Sequence, residues 1–92
     1  MIESFRHKGL KRFFVDDDRS KLSADMVERI SDILTLLDAA SEISDLDRPS
    51  LRLHKLKGTL QDHWAVTVRA NWRIVFRFEA GNAQDVDLLD YH

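Results

Sequence analysis

The 92-residue chain predicts an α+β domain in which two N-terminal helices pack on one face of a curved antiparallel sheet of about four strands. Three observations lead there. Apolar residues recur at helical spacing in the first half, the period falls to two after Pro49, and turn signals cut the second half into strands. Ninety-two residues make one domain, spanning 1–92, and are enough to bury a single core. A hydrophobic fraction of 43% against 33% charged places the chain among globular rather than disordered sequences.

Between Phe5 and Phe14, Phe5, Leu10, Phe13 and Phe14 lie mostly opposite Arg6, Lys8, Lys11 and Arg12, which predicts a short amphipathic helix ending at Asp16-Asp17-Asp18. Ile2 to Phe5 also fits an early strand. Ser23 suits an N-cap, with Asp25 and Glu28 placed to complement the helix dipole. Met26, Ile30, Ile33, Leu37 and Ala40 then carry a second helix over about 24–43. After Pro49, Leu51 and Leu53 alternate with Arg52 and His54, and Lys57-Gly58 ends that strand. Trp64, Val66 and Val68 form a second strand, and Trp72, Ile74, Phe76 and Phe78 a third. Arg69-Ala70-Asn71 predicts the hairpin between them, and Gly81-Asn82 predicts another leading into Val86, Leu88 and the last residues.

The formal net charge of -2 conceals segregation. Residues 16–47 hold ten acids against Arg19, Lys21 and Arg29, whereas residues 48–77 hold seven basic side chains against Asp62. The second block is a candidate surface for a polyanion, and the acidic helix a candidate surface for a basic partner. No apolar run approaches the roughly 18 residues of a membrane span. The opening residues lack the apolar core of a secretory signal, and without cysteine there is no disulfide, thiolate metal site or thiol nucleophile. A cytoplasmic location is the expectation.

Strand alternation selects the residues able to do chemistry. If Trp72, Ile74, Phe76 and Phe78 face the helices, Arg73 and Arg77 face away; Leu51 and Leu53 inward likewise put His54 and Arg52 outward. Lys55 and Lys57 lie beside them. Arginines on rigid strands supply the fixed cationic forks that phosphate binding needs. The chain ends Asp90-Tyr91-His92, an acid, a phenol and an imidazole in three residues, with Val86 to Leu89 apolar enough to hold them on a strand. His63 is expected in a surface turn, and His7, among Arg6, Lys8 and Lys11, has no acid to orient it. The four histidines lack metal-ligand spacing, and there is neither a Gly-rich phosphate loop nor a Gly-x-Ser-x-Gly elbow. No metal and no cofactor is expected.

Four blocks, Phe5-Arg6-His7-Lys8-Gly9-Leu10-Lys11, Leu53-His54-Lys55-Leu56-Lys57-Gly58, Trp64 to Ile74 and Asp90-Tyr91-His92, together resemble HigB toxins. These form the plasmid-maintenance killer branch of the RelE/ParE toxin superfamily. The resemblance spans essentially the whole chain; one departure is Lys55, where the family often carries proline. It implies a microbial RNase-like (RelE) fold and a ribosome-dependent endoribonuclease that cuts mRNA in the ribosomal A site. It further implies neutralisation by a HigA-type helix-turn-helix antitoxin, through which alone promoter DNA is reached. Matched by position, His54, Asp90, Tyr91 and His92 are the catalytic set, with Lys57 and Arg73 as supporting cations. Arg52, Lys55, Arg77, Lys8 and Lys11 are candidate RNA contacts. One of His54 and His92 would serve as base and the other as acid, an assignment the sequence leaves open. A gyrase-targeting toxin of the ParE type and a non-catalytic RNA- or ribosome-binding module are the alternatives.

Overall fold

The computed structural model describes residues 1–91; His92 lies outside the described residues. Helices α1 (Lys8–Asp16) and α2 (Val27–Ala39) precede strands β1 (His54–Lys55), β2 (His63–Arg69), β3 (Trp72–Glu79) and β4 (Asn82–Asp90), with 3-10 turns at Ile43–Leu46 and Gly58–Leu60. The strands form one antiparallel sheet in the order β1-β2-β3-β4. This is the predicted α+β architecture. The N-terminal segment adds two parallel bridges to β4, Ile2 with Ala83 and Phe5 with Val86.

Both helices differ from their sequence boundaries for local reasons. Helix α1 starts at Lys8, not Phe5, because Phe5 is held on β4 and the His7 Nδ1 accepts the Leu10 N–H at 3.1 Å. It ends where Asp17 turns left-handed (φ 56°) and donates to the Phe13 carbonyl. Helix α2 begins at Val27; the Ser23 carbonyl accepts the Met26 N–H, so Ser23 forms a turn ahead of the helix and does not cap it. It stops at Ala39 because the Asp45 carboxylate accepts the Ser41 and Glu42 N–H groups at 3.0 and 3.1 Å, drawing the chain into a 3-10 turn.

The main core fills the space between helices and sheet. Leu10, Ile30, Ile33, Leu34 and Leu37 meet Val66, Ile74, Phe76, Val86 and Leu88, with Trp64, Trp72 and Phe78 packed around them. Leu51 is buried and Leu53 packs on the same core, although neither belongs to a strand: β1 is only His54–Lys55, because Arg52 turns left-handed (φ 50°). The β2–β3 connection is Ala70-Asn71, and Ala80 and Gly81, both at positive φ, close β3 onto β4. A bulge at Asp85 (φ 53°) shifts the register, so that Val75 opposes Asp87 whereas Arg77 opposes Gln84.

Candidate active site

Residues opposite one another in adjacent strands share a face, which fixes what the outer side of the sheet carries. His54 opposes Ala65, Ala65 opposes Val75, and Val75 opposes Asp87; beside that row Thr67, Arg73 and Leu89 form another. His54 and Arg73 therefore share the face turned away from the helices, as the alternation predicts. Arg77 belongs to the same face, opposite His63.

His54 is exposed, and its ring Nδ1 lies 3.1 Å from the Arg52 carbonyl oxygen. A carbonyl only accepts, so Nδ1 carries the proton and, in the neutral ring, the Nε2 lone pair is left to solvent. The left-handed turn at Arg52 is what brings that carbonyl back to its neighbour's ring. Arg73 donates from Nη1 to the Ala70 and Trp72 carbonyls at 2.7 and 3.2 Å, which fastens its root to the β2–β3 turn. Its Nη2 and Nε have no partner among the described residues, leaving one edge of the fork for a ligand. Tyr91 is 38% exposed, and its backbone N–H donates to the Asn71 carbonyl at 2.7 Å, so the chain is still paired beyond β4. Asp90 opposes Trp72, which places it at the sheet edge on the helix-facing side, not beside Arg73.

The cations divide sharply. Lys57 is exposed immediately before the 3-10 turn Gly58–Leu60, which crosses the outer face as Leu56 and Leu60 pack on Ala65 and Val75. Lys55, expected beside it, opposes Trp64 and sets its Nζ over that ring at 5.3 Å, on the other side of the sheet. Arg77 faces outward but is held by Glu79 at 2.8 Å and Asp85 at 3.2 Å; hydrogen bonds to these carboxylates, Asp85 first, raise its pKa. Its charge is already matched. Lys8 and Lys11 are exposed on α1, in the helix layer, so they do not extend the outer face. Arg52 is exposed in the turn before β1.

His63 departs from its expected surface turn. It is the first residue of β2, only 9% exposed, and among the described residues neither ring nitrogen has a hydrogen-bond partner. An unmet buried polar group costs about 1–3 kcal/mol. Extending the Trp64-Val66-Val68 alternation back by one residue would have placed it on the outer face, but no periodic signal marks its burial there. Grooves of about 310 and 370 Å³ lie between α1 and α2, lined by residues such as Phe13, Asp17 and Ser31, away from His54. Among the described residues no cluster of three His, Asp or Glu is placed to hold a metal ion, and no helix is long and apolar enough to cross a membrane.

The profile of the RelE-like toxin of the type II toxin–antitoxin system HigB matches residues 3–92. The chain belongs to the HigB-like toxin family. It is 48% identical over 92 residues to the endoribonuclease HigB of Proteus vulgaris, with both chains covered completely. It is also 33% identical over 94 residues to the toxin HigB-1 of Vibrio cholerae, covering 100% of this chain and 98% of that one. Among solved structures, the YoeB–YefM toxin–antitoxin complex of Staphylococcus aureus superimposes with a TM-score of 0.62 at 16% identity, covering 100% and 98% of the two chains. A mutant form of YafQ from Escherichia coli gives a TM-score of 0.61 at 17% identity, covering 96% and 91%. The sheet with its helices on one side is thus the RelE-like toxin fold. As a HigB-like type II toxin, the chain has an antitoxin partner.

Proposed function

We propose that this chain is an endoribonuclease that cuts mRNA on the ribosome, in the A site, without a metal ion. The observation that carries the reading is the 3.1 Å contact of His54 Nδ1 with the Arg52 carbonyl oxygen: with Nδ1 donating there, the neutral ring keeps its lone pair on Nε2, in a residue on the face that also bears Arg73. Such a nitrogen suits a general base for a ribose 2′-hydroxyl. The 2′-oxygen attacks the adjacent phosphorus, the bond to the 5′-oxygen breaks, and that oxygen takes a proton from His92. Arg73 and Lys57 stabilise the charge on the phosphorane. Tyr91 stacks on a nucleotide, and Asp90 orients the imidazole two residues on. The name of the Proteus vulgaris relative, which covers the whole chain, supports ribonuclease chemistry. The protein acts in the cytoplasm, and a HigA-type helix-turn-helix antitoxin restrains it.

Adding the protein to a translating extract and characterising the new mRNA ends tests this reading. Cuts within ribosome-occupied codons that leave 2′,3′-cyclic phosphate and 5′-hydroxyl ends are expected. Ends carrying 3′-hydroxyl and 5′-phosphate, or cuts indifferent to translation, would sink it. His54→Gln should slow cleavage on the order of 10²–10⁴-fold, as should His92→Gln.

A further inference from the structure

The buried ring of His63 has no use in the fold. Among the described residues both nitrogens are unpartnered; Ala65 and Val75 on that face are apolar, and Arg77, directly opposite, is bound to Glu79 and Asp85. A leucine would fill the space without two orphaned polar atoms. Yet His63 lies on the same sheet face as His54, two residues before Ala65, which opposes His54. The chain from Leu56 to Leu60 crosses that same face beside it, with Lys57 exposed. That stretch is lightly attached: the Leu56 N–H donates to the His63 carbonyl at 2.9 Å, and Leu56 and Leu60 rest on Ala65 and Val75. Gly58, at φ 73°, has no atom within 4 Å of where a Cβ would stand, so the turn borders open space. Opposite His63, the Arg77 guanidinium is matched by Glu79 and Asp85 and does not take an incoming anion in its place.

We propose that His63 is a phosphate-binding group covered by the Gly58–Leu60 turn: RNA settling against Lys57 lifts the turn, and the uncovered imidazole donates a hydrogen bond to the scissile phosphate. This rests on the endoribonuclease reading and adds to it a donor that neither the sequence pattern nor the exposed face assigns. A ring without internal partners is available to such a ligand at no loss of existing bonds. The bond strengthens as negative charge develops on the phosphate oxygens, so its loss is read chiefly in the rate of cleavage.

Two variants separate this role from packing. His63→Gln keeps an amide N–H donor near the place of Nε2, whereas His63→Leu keeps bulk and removes every donor. Single-turnover cleavage of mRNA on translating ribosomes, at saturating toxin and per folded molecule, should fall about a hundredfold in His63→Leu but no more than about tenfold in His63→Gln. His63→Leu should melt no lower than the wild type. If His63→Leu cuts as fast as His63→Gln, or faster, the group is packing and the proposal is overturned. A wild type that cuts no mRNA overturns the endoribonuclease reading instead.

Discussion

At the scale of single residues, the two outward arginines of β3 differ in what already holds them. Arg73 spends only Nη1 on backbone carbonyls, whereas Arg77 is bound on both terminal nitrogens by Asp85 and Glu79. Arg73→Ala should therefore lower ribosome-dependent cleavage about a hundredfold, and Arg73→Lys should recover part of it, since a point charge replaces the fork incompletely. Arg77→Gln should change cleavage less than about threefold. Its ion pairs are partly solvated, with 32% of the Arg77 side chain exposed, so they add little to stability. Equal losses of activity in the two variants, measured on the same mRNA, would show that their bonding states do not matter. Their outward direction was legible from alternation. Their difference was not, because Glu79 is two residues from Arg77 on β3 but Asp85 reaches it only through a bulge. Lys55 is similar: its place opposite Trp64 follows from a register that sequence spacing does not contain.

At the scale of elements, the long runs were legible and their ends were not. The alternation of β3 and the helical spacing of α2 read the same wherever the chain turns, but the ends depend on single hydrogen bonds such as those of Asp45 or His7. Helix α1 gives a direct check. Its side-chain N-cap bond comes from an imidazole nitrogen acting as acceptor, a task an amide or carboxylate oxygen performs equally well. His7→Ala should cost about 0.5–2 kcal/mol and His7→Asn much less, read from urea denaturation midpoints. The β3–β4 turn gives another. Ala80 stands at φ 52° ahead of Gly81, where asparagine tolerates the left-handed region better than alanine. Ala80→Asn should raise stability by a few tenths to about 1 kcal/mol. A lower midpoint would mean that the alanine side chain makes a contact outweighing the backbone strain.

At the scale of the whole molecule, the sheet packs one side on the helices and carries His54 and Arg73 on the other, and polar contacts join the helix layer to the sheet at its margin. Arg29 donates to the Thr67 and Val68 carbonyls of β2, and the Asp25 carboxylate just before α2 pairs with Arg69 at the end of β2. The Ser23 hydroxyl, first, and the Arg69 guanidinium hold the Asp25 carboxyl below its ordinary pKa of 3.8. Ser20 does the same for Asp18, through its hydroxyl and then its N–H, and the backbone N–H groups of Ser41 and Glu42 do so for Asp45. A carboxyl whose folded pKa is depressed contributes stability that is fully present above the unfolded value and is lost as pH falls through the folded one. These three groups should leave the urea midpoint unchanged from neutral pH down to about 4, then lower it as pH falls further. Replacing all three together, Asp18→Asn, Asp25→Asn and Asp45→Asn, should flatten that acid limb relative to the wild type. Asp25 is exposed, so salt should weaken the charge contribution of Arg69 to it while leaving the hydrogen bonds from serine and backbone in place. An acid limb equally steep in the triple variant would assign the loss of stability below about pH 4 to other carboxyls of this acid-rich chain.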